Sequence, residues 1–124
     1  MDNFLEIQRP FIAEGMIRIR HNGKLNYIKT SEVGLLESDI NYTHIHLSSG
    51  KKLLSSRNLS LFEFMLKDTH SFIRPNRRQV VNIDYLTHFS IEKSTKSLQL
   101  INGLSISISH RKSQKLTKSL ENQP

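Results

Sequence analysis

The stretch F-I-R-P-N-R-R-Q-V-V-N (residues 72–82) decides the fold, because it places four polar or cationic residues, at 76–79, between two segments that otherwise resemble buried β-strand. Phe72 and Ile73 precede the polar residues and two valines follow them, and such residue types favour half-buried β-strands. The sequence therefore predicts two strands whose connection carries the side chains of residues 76–79. Such a connection is either a basic loop that faces only solvent or a contact surface for a polyanion, and these residues alone leave both readings open.

On the amino-terminal side of this stretch, alternating apolar and polar residues predict two hairpins of short strands. The first hairpin turns at a His-Asn-Gly signal, which favours a tight turn, and the second turns at Ser-Ser-Gly. Thr30 to Glu32 are expected to form a single helical turn between the hairpins. The predicted strands cover Gly15–Gly23, Leu25–Lys29, Gly34–Asp39, Tyr42–Leu47 and the segment K-K-L-L-S-S at 51–56.

A helical spacing of apolar residues begins at Leu59 and predicts one amphipathic helix over residues 59–67, with Asn58 as its N-cap. The aromatic side chains Phe62 and Phe64 fall within this pattern, and we expect both, like Phe72, to pack into the core rather than stack on nucleotide bases.

On the carboxyl-terminal side, residues 83–93 and 97–109 predict a further hairpin region with an Asn-Gly turn at 102–103. Ser109 to Leu120 predict a short basic surface helix, whose apolar stripe is too thin for strong membrane insertion. The predicted fold class is therefore mostly β, an elongated arrangement of small antiparallel sheets with two short α-helices.

The chain's 124 residues suit one domain with one ordinary core and leave no room for a receiver or catalytic domain. We expect the domain to cover residues 15–121, after an amino-terminal extension of residues 1–14. The start of the chain lacks the pattern of a signal peptide, and apolar runs are too short to cross a membrane. With no cysteine, disulfides and thiolate metal sites are excluded, and a cytoplasmic location is predicted.

Positive charge is concentrated in the carboxyl-terminal part of the chain. Residues 1–69 carry nine basic and eight acidic side chains, whereas residues 70–124 carry nine and three, so this part holds most of the net charge of +7. A basic surface attracts polyanions such as nucleic acid or acidic membranes, and the charge alone does not choose between them.

Catalytic or metal-binding patterns receive little support. His44 and His46 are spaced to share one strand face, but no third ligand can be named, and Glu37 with Asp39 reads as a solvated pair. No phosphate-binding glycine loop or nucleophile triad is identified. We therefore expect no enzyme activity, no metal and no cofactor.

The order of these features resembles the LytTR family of bacterial DNA-binding domains over about residues 15–120. The resemblance rests on L-L-E-S-D-I-N-Y, the hairpin from Tyr42 to Ser56, N-L-S-L-F-E-F-M-L, the stretch 72–82 and N-G-L-S-I-S-I-S-H-R-K-S-Q-K-L. Its most specific parts are Phe72, Arg74 and the pair Val81-Asn82. One departure is that the family usually has an aromatic residue where Gln79 stands.

The resemblance implies that loops, rather than a recognition helix, enter successive major grooves of double-stranded DNA. Matched to this chain, the base-contacting residues would be Asn41, Tyr42, Asn76, Arg77 and Arg111. The phosphate-contacting residues would be Arg74, Arg78, Lys112, Lys115 and Lys118. Arginine can bond guanine, and asparagine can bond adenine, through two hydrogen bonds each.

The family's use of paired direct repeats implies a transcription regulator that places two copies on one operator. Because the chain has no space for a receiver domain, we expect its regulation to come from a separate regulatory protein, from its expression level or from a ligand. No membrane partner is expected. The alternative is a basic β-rich module that binds RNA or an acidic protein without reading DNA sequence. A metal-dependent enzyme built on the histidines is a more distant third hypothesis.

Overall fold

A computed structural model of the chain describes residues 12–13, 15–91, 96–101 and 103–109. These residues form three antiparallel sheets, whose strand orders are β1-β2-β3, β6-β5-β4-β8-β7 and β11-β10-β9. The strands are β1 (Ile12–Ala13), β2 (Met16–His21), β3 (Lys24–Lys29), β4 (Val33–Asp39), β5 (Tyr42–Leu47), β6 (Lys52–Ser55), β7 (Phe72–Asn76), β8 (Gln79–Asn82), β9 (Leu86–Ile91), β10 (Lys96–Leu100) and β11 (Ser105–Ser107). The α-helix of the described part is α1 (Leu59–Leu66).

The predicted fold class is confirmed, and the local signals identify most elements correctly. Asn22 and Gly23 both have positive φ, 52° and 75°, as the tight turn between β2 and β3 requires. Thr30–Glu32 form a 3-10 turn before β4. The second predicted helix, Ser109 to Leu120, falls outside the described residues except for its first position. The predicted extension of residues 1–14 contains β1, which pairs with β2.

Helix α1 begins where the sequence predicts, because the Asn58 side chain accepts a hydrogen bond of 2.9 Å from the Leu61 backbone N–H. Phe62 is fully buried on its inner face. The expectation that Phe64 packs in the core is wrong: its ring is 61% exposed, and the Lys67 ammonium lies 4.2 Å from the ring centroid. Two residues along a helix turn the side chain to the far side, so Phe62 and Phe64 cannot share one face.

The five-stranded sheet is covered on both sides, and this explains the apolar runs of its central strands. Successive strand residues point to opposite faces. Leu36 and Val80 face a core shared with α1 and the β2–β3 hairpin, while Leu35 and Val81 face a second core shared with β10 and β11. The sheet is thereby held between two layers, and its strand ends remain free to carry turns.

Strand β7 is an edge of the five-stranded sheet, which is why it tolerates a proline. Pro75 lies in an irregular stretch of the β7–β8 pairing, between the paired positions of Ile73 and Asn76. The predicted connection of residues 76–79 is shorter in the structure: Asn76 pairs with Gln79, so the turn consists of Arg77 and Arg78 alone. The two flanking polar residues are instead the last and first residues of the strands.

Candidate nucleic-acid interface

Three segments predicted from the sequence meet at one end of the five-stranded sheet. The β7–β8 turn lies beside the end of β4, because the Ser38 N–H donates a hydrogen bond of 2.8 Å to the Arg78 carbonyl. On the other side, the Ser109 N–H donates to the Pro75 carbonyl at 3.0 Å, which brings the chain after β11 to the same place. The structure thus brings together the β4–β5 turn, the β7–β8 turn and the segment that leads toward Arg111.

Arg77 and Arg78 form the tip of the β7–β8 hairpin and are both exposed. A hydrogen bond within the turn stabilises its conformation, because the Asn76 Oδ1 accepts from the Arg78 N–H at 2.8 Å. Two adjacent guanidinium groups therefore project from a short, closed turn rather than from an extended loop. This arrangement suits the recognition of an anion or a base edge, because each guanidinium can donate two parallel hydrogen bonds.

The side chain of Asn76 is only partly exposed, and its amide is already bonded within the protein. Its Nδ2 donates to the Gln79 Oε1 at 2.9 Å and to the Ser107 carbonyl at 2.6 Å. Gln79 in turn donates from Nε2 to the Glu37 Oε2 at 2.9 Å. Gln79, which stands where the family usually has an aromatic residue, therefore joins β4, β8 and β11 through a polar chain.

Arg74 points back beneath the turn. Its Nη2 donates to the Arg77 carbonyl at 2.8 Å, and its Nη1 forms an ion pair with the Glu63 Oε1 at 2.9 Å. Longer bonds of 3.3 Å join Nε to the Asn76 carbonyl and Nη1 to the Ser60 hydroxyl. With its side chain 18% exposed, Arg74 links α1 to the β7–β8 turn.

The β4–β5 turn presents a different set of side chains beside the arginines. Asn41 is exposed, and Tyr42, the first residue of β5, is 49% exposed. Ile40 precedes them and is 88% exposed. Asp39, the last residue of β4, precedes this turn. Its Oδ2 lies 3.1 Å from the His44 Nε2.

The groove between the β7–β8 turn and β11 has a volume of about 660 Å³ and a polar lining. Its walls are formed by Glu37, Ser38, residues 76–79, Ser107 and Ser109. Glu37 is the acidic group of this groove, and its carboxylate is held by Gln79 and by His46, whose Nε2 lies 2.7 Å from the Glu37 Oε1. The two arginines that line this groove are both exposed, so they are accessible to an anion from solvent.

The predicted contact residues that the structure describes fall into two groups. Asn41, Tyr42, Arg77 and Arg78 are exposed together at one end of the sheet, whereas Asn76 and Arg74 are occupied by contacts within the protein. The remaining predicted residues lie outside the described part of the chain; they are Arg111, Lys112, Lys115 and Lys118.

The histidine pair has a structural explanation. His44 and His46 lie on one strand and contact Asp39 and Glu37 of the neighbouring strand. Within the described ranges, no group of three or more His, Asp or Glu side chains is arranged to hold a metal ion. In the same part of the chain, no helix is long and apolar enough to span a membrane.

Sequence reasoning missed two features of this site. The inward direction of Arg74 depends on α1 lying beneath the hairpin, and the spacing of residues carries no signal for that. The exposed Ile40 could have been noticed, because an apolar β-branched residue is unusual between the polar turn residues Asp39 and Asn41.

The exposed arginine turn at one end of the covered sheet suits contact with a polyanion such as nucleic acid. The family model described as LytTr DNA-binding domain matches residues 23–121. The chain therefore belongs to the LytTR family, which is a family of DNA-binding domains and not of enzymes.

A solved structure, a LytTr DNA-binding domain of a methyl-accepting/DNA response regulator from Bacillus cereus, has the same fold with a TM-score of 0.73. It is 24% identical to this chain and is matched over 87% of this chain and 98% of its own. No curated protein matches the chain.

Proposed function

We propose that this domain binds double-stranded DNA in a sequence-specific manner and regulates transcription, with its turns inserted into successive major grooves. The observation that carries the proposal is the meeting of three chain segments at one end of the five-stranded sheet. Membership in a family of DNA-binding domains supports the nucleic-acid partner, and the net charge of +7 supplies the attraction to phosphates.

The exposed turns divide into base-reading and phosphate-holding positions. Arg77, at the tip of the β7–β8 hairpin, would bond the O6 and N7 atoms of guanine, the commonest specific contact in the major groove. Asn41 and Tyr42 would contact bases from the β4–β5 turn, and Arg111 would do so from the third segment. Arg78 would bond phosphate, together with Lys112, Lys115 and Lys118.

Asn76 and Arg74 take a different place in this proposal. A base contact by Asn76 requires its amide to give up hydrogen bonds to Gln79 and Ser107, and a phosphate contact by Arg74 requires loss of bonds to Arg77 and Glu63. We therefore propose that both act mainly as positioning residues, which hold the arginine turn in the shape that meets DNA.

Two copies on direct repeats and a separate regulatory protein complete the proposal. A single copy offers few base-reading side chains, and two copies on one operator would multiply their selectivity. Such a regulator would act in the bacterial cytoplasm, where the chromosome lies.

Selection of genomic fragments by the purified protein tests the proposal directly. The enriched fragments should share a sequence, and a duplex that carries it should bind more tightly than a shuffled duplex at the same salt concentration. Equal binding to both duplexes refutes sequence-specific recognition. Equal binding would favour the alternative function, a basic module that binds RNA or an acidic protein. Competition with single-stranded RNA and with polyglutamate would then distinguish these two partners.

Two arginine variants test the division of roles. Arg77→Ala should lose about 1–3 kcal/mol of preference for the selected duplex, with a loss confined to one base position. Arg78→Ala should weaken binding to every duplex and lower the slope of log K against log salt by about 0.9. Lys24→Ala, which alters an exposed lysine of another sheet, is the matched control and should change neither quantity by a comparable amount.

A further inference from the structure

Ile40 has a backbone conformation that its side chain disfavours. Its φ is 57°, in the left-handed region. A β-branched residue rarely adopts this conformation, because its Cβ substituents crowd the backbone. Glycine, asparagine or aspartate normally occupies such a position. Strain of this kind persists where the surrounding structure enforces it, and it concentrates at sites of function.

Packing within the protein does not account for this residue. The side chain is 88% exposed, so the fold buries almost none of its apolar surface. Its neighbours Asn41 and Tyr42 are exposed as well. The turn therefore holds an isoleucine in an unfavourable conformation and directs it into solvent, where neither the core nor the turn geometry benefits from it.

The position of Ile40 places it beside the arginine turn. It comes two residues after Ser38, whose N–H bonds the Arg78 carbonyl at 2.8 Å. Strands β4 and β8 are neighbours in register as far as the pair Glu37 and Gln79, so the β4–β5 and β7–β8 turns leave the sheet side by side. A ligand large enough to span both turns, such as a DNA duplex, can therefore contact the two arginines and Ile40 at once.

We propose that Ile40 is a specificity-determining residue that contacts the C5 methyl group of thymine in the bound operator. This inference rests on the proposed DNA-binding function. The major groove presents hydrogen-bonding groups at every base pair, and thymine adds the methyl group as its apolar feature. Among the cationic and polar side chains of the two turns, Ile40 is the aliphatic group that matches it, and the half-exposed ring of Tyr42 follows two residues later.

The strained backbone of the β4–β5 turn also favours the thymine contact. Since the left-handed conformation is present before binding, the backbone at residue 40 need not reorganise when DNA arrives. A preorganised backbone loses less conformational freedom on binding, and more of the contact energy appears as affinity.

The test combines protein variants with atomic changes in the DNA. Ile40→Asn and Ile40→Gly keep a residue that accepts positive φ and remove the aliphatic side chain. Ile101→Asn is the matched control, because Ile101 is also exposed, at 62%, and lies beyond the end of β10 that is farther from the arginine turn. Thermal unfolding of all three variants monitors the fold, and both Ile40 variants should unfold at the same temperature as the wild type or at a higher one.

Binding is then measured on the selected duplex and on versions in which each thymine is replaced in turn by uracil, which lacks only the methyl group. For the wild type, replacement at one position should weaken binding about threefold to fourfold, the effect of one buried methyl group. Both Ile40 variants should bind the parent duplex about tenfold less tightly and should be insensitive to uracil at that position. Ile101→Asn should behave as the wild type does.

The possible failures are distinguishable. If the wild type selects no sequence, the proposed function fails, and this inference falls with it. If the wild type selects a sequence but no uracil position weakens binding, or the Ile40 variants retain the same sensitivity as the wild type, the thymine contact is refuted while sequence-specific binding stands.

Discussion

Replacement of Arg74 tests whether this arginine contacts DNA or holds the turn that does. In the structure its guanidinium joins the Arg77 carbonyl at 2.8 Å to the Glu63 carboxylate at 2.9 Å. A lysine can carry the same charge, but its single ammonium group cannot reproduce a planar fork that reaches both partners. Arg74→Lys and Arg74→Ala together therefore separate the effect of charge from the effect of geometry.

The magnitude follows from the two short bonds. The bond to the Arg77 carbonyl is exposed to solvent, so it contributes about 0.5–1.5 kcal/mol, the range of an ordinary intramolecular hydrogen bond. The Glu63 side chain is 44% exposed, so that ion pair contributes below about 1 kcal/mol. We expect Arg74→Ala to lower the free energy of unfolding by about 1–2 kcal/mol, with a fall in Tm of about 5 °C. Arg74→Lys should recover less than half of this loss.

The decisive assay is DNA affinity as a function of salt, at a temperature at which circular dichroism shows both variants to be folded. If Arg74 positions the turn, both variants should lose preference for the selected duplex, while the slope of log K against log salt stays at the wild-type value. A phosphate contact would instead lower the slope by about 0.9 in Arg74→Ala and restore it in Arg74→Lys. That second pattern would refute the positioning role.

Three further substitutions test the packing that supports the site, each by denaturant unfolding. Gly34→Ala should lower the free energy of unfolding by about 1–3 kcal/mol, because the new Cβ would lie 2.9 Å from the Tyr85 ring. Adding Tyr85→Leu to this variant should recover part of the lost stability. Asn82→Ala should cost about 1–3 kcal/mol, since this buried amide donates to the Val33 carbonyl at 2.9 Å; an unchanged midpoint would contradict the bond. Asn58→Ala should cost about 1 kcal/mol through loss of the α1 N-cap, whereas Asn58→Ser should be nearly neutral.

The parts of the fold that could be predicted from the sequence are those determined by local chemistry. Alternating residues identify β2, the Asn22-Gly23 pair identifies the turn after it, and Asn58 identifies the start of α1. Each signal depends on residues within a few positions of one another. Residue spacing also predicted the arginine connection, although the strands extend further into it than the polar residues indicate.

The parts that could not be predicted depend on which elements meet in space. The bond from Asn76 to the Ser107 carbonyl spans 31 residues, and the bond from Gln79 to Glu37 spans 42. Neither partner can be identified from spacing, because several strands could have lain beside β8. The inward direction of Arg74 has the same origin, since it depends on Glu63 and thus on where α1 packs.

The two roles of the polar residues in the stretch 72–82 explain why it interrupts a buried sheet. Arg74, Asn76 and Gln79 satisfy carbonyls, an N–H group and a carboxylate of the protein, so their burial carries little desolvation cost. Arg77 and Arg78 are left at the tip of a two-residue turn whose backbone these contacts hold from below. A flexible loop would lose more conformational freedom on binding DNA, and the same two arginines would then contribute less affinity. The polar interruption is thus a rigid support for two exposed cations, and variants of the support should alter sequence preference without altering the count of phosphate contacts.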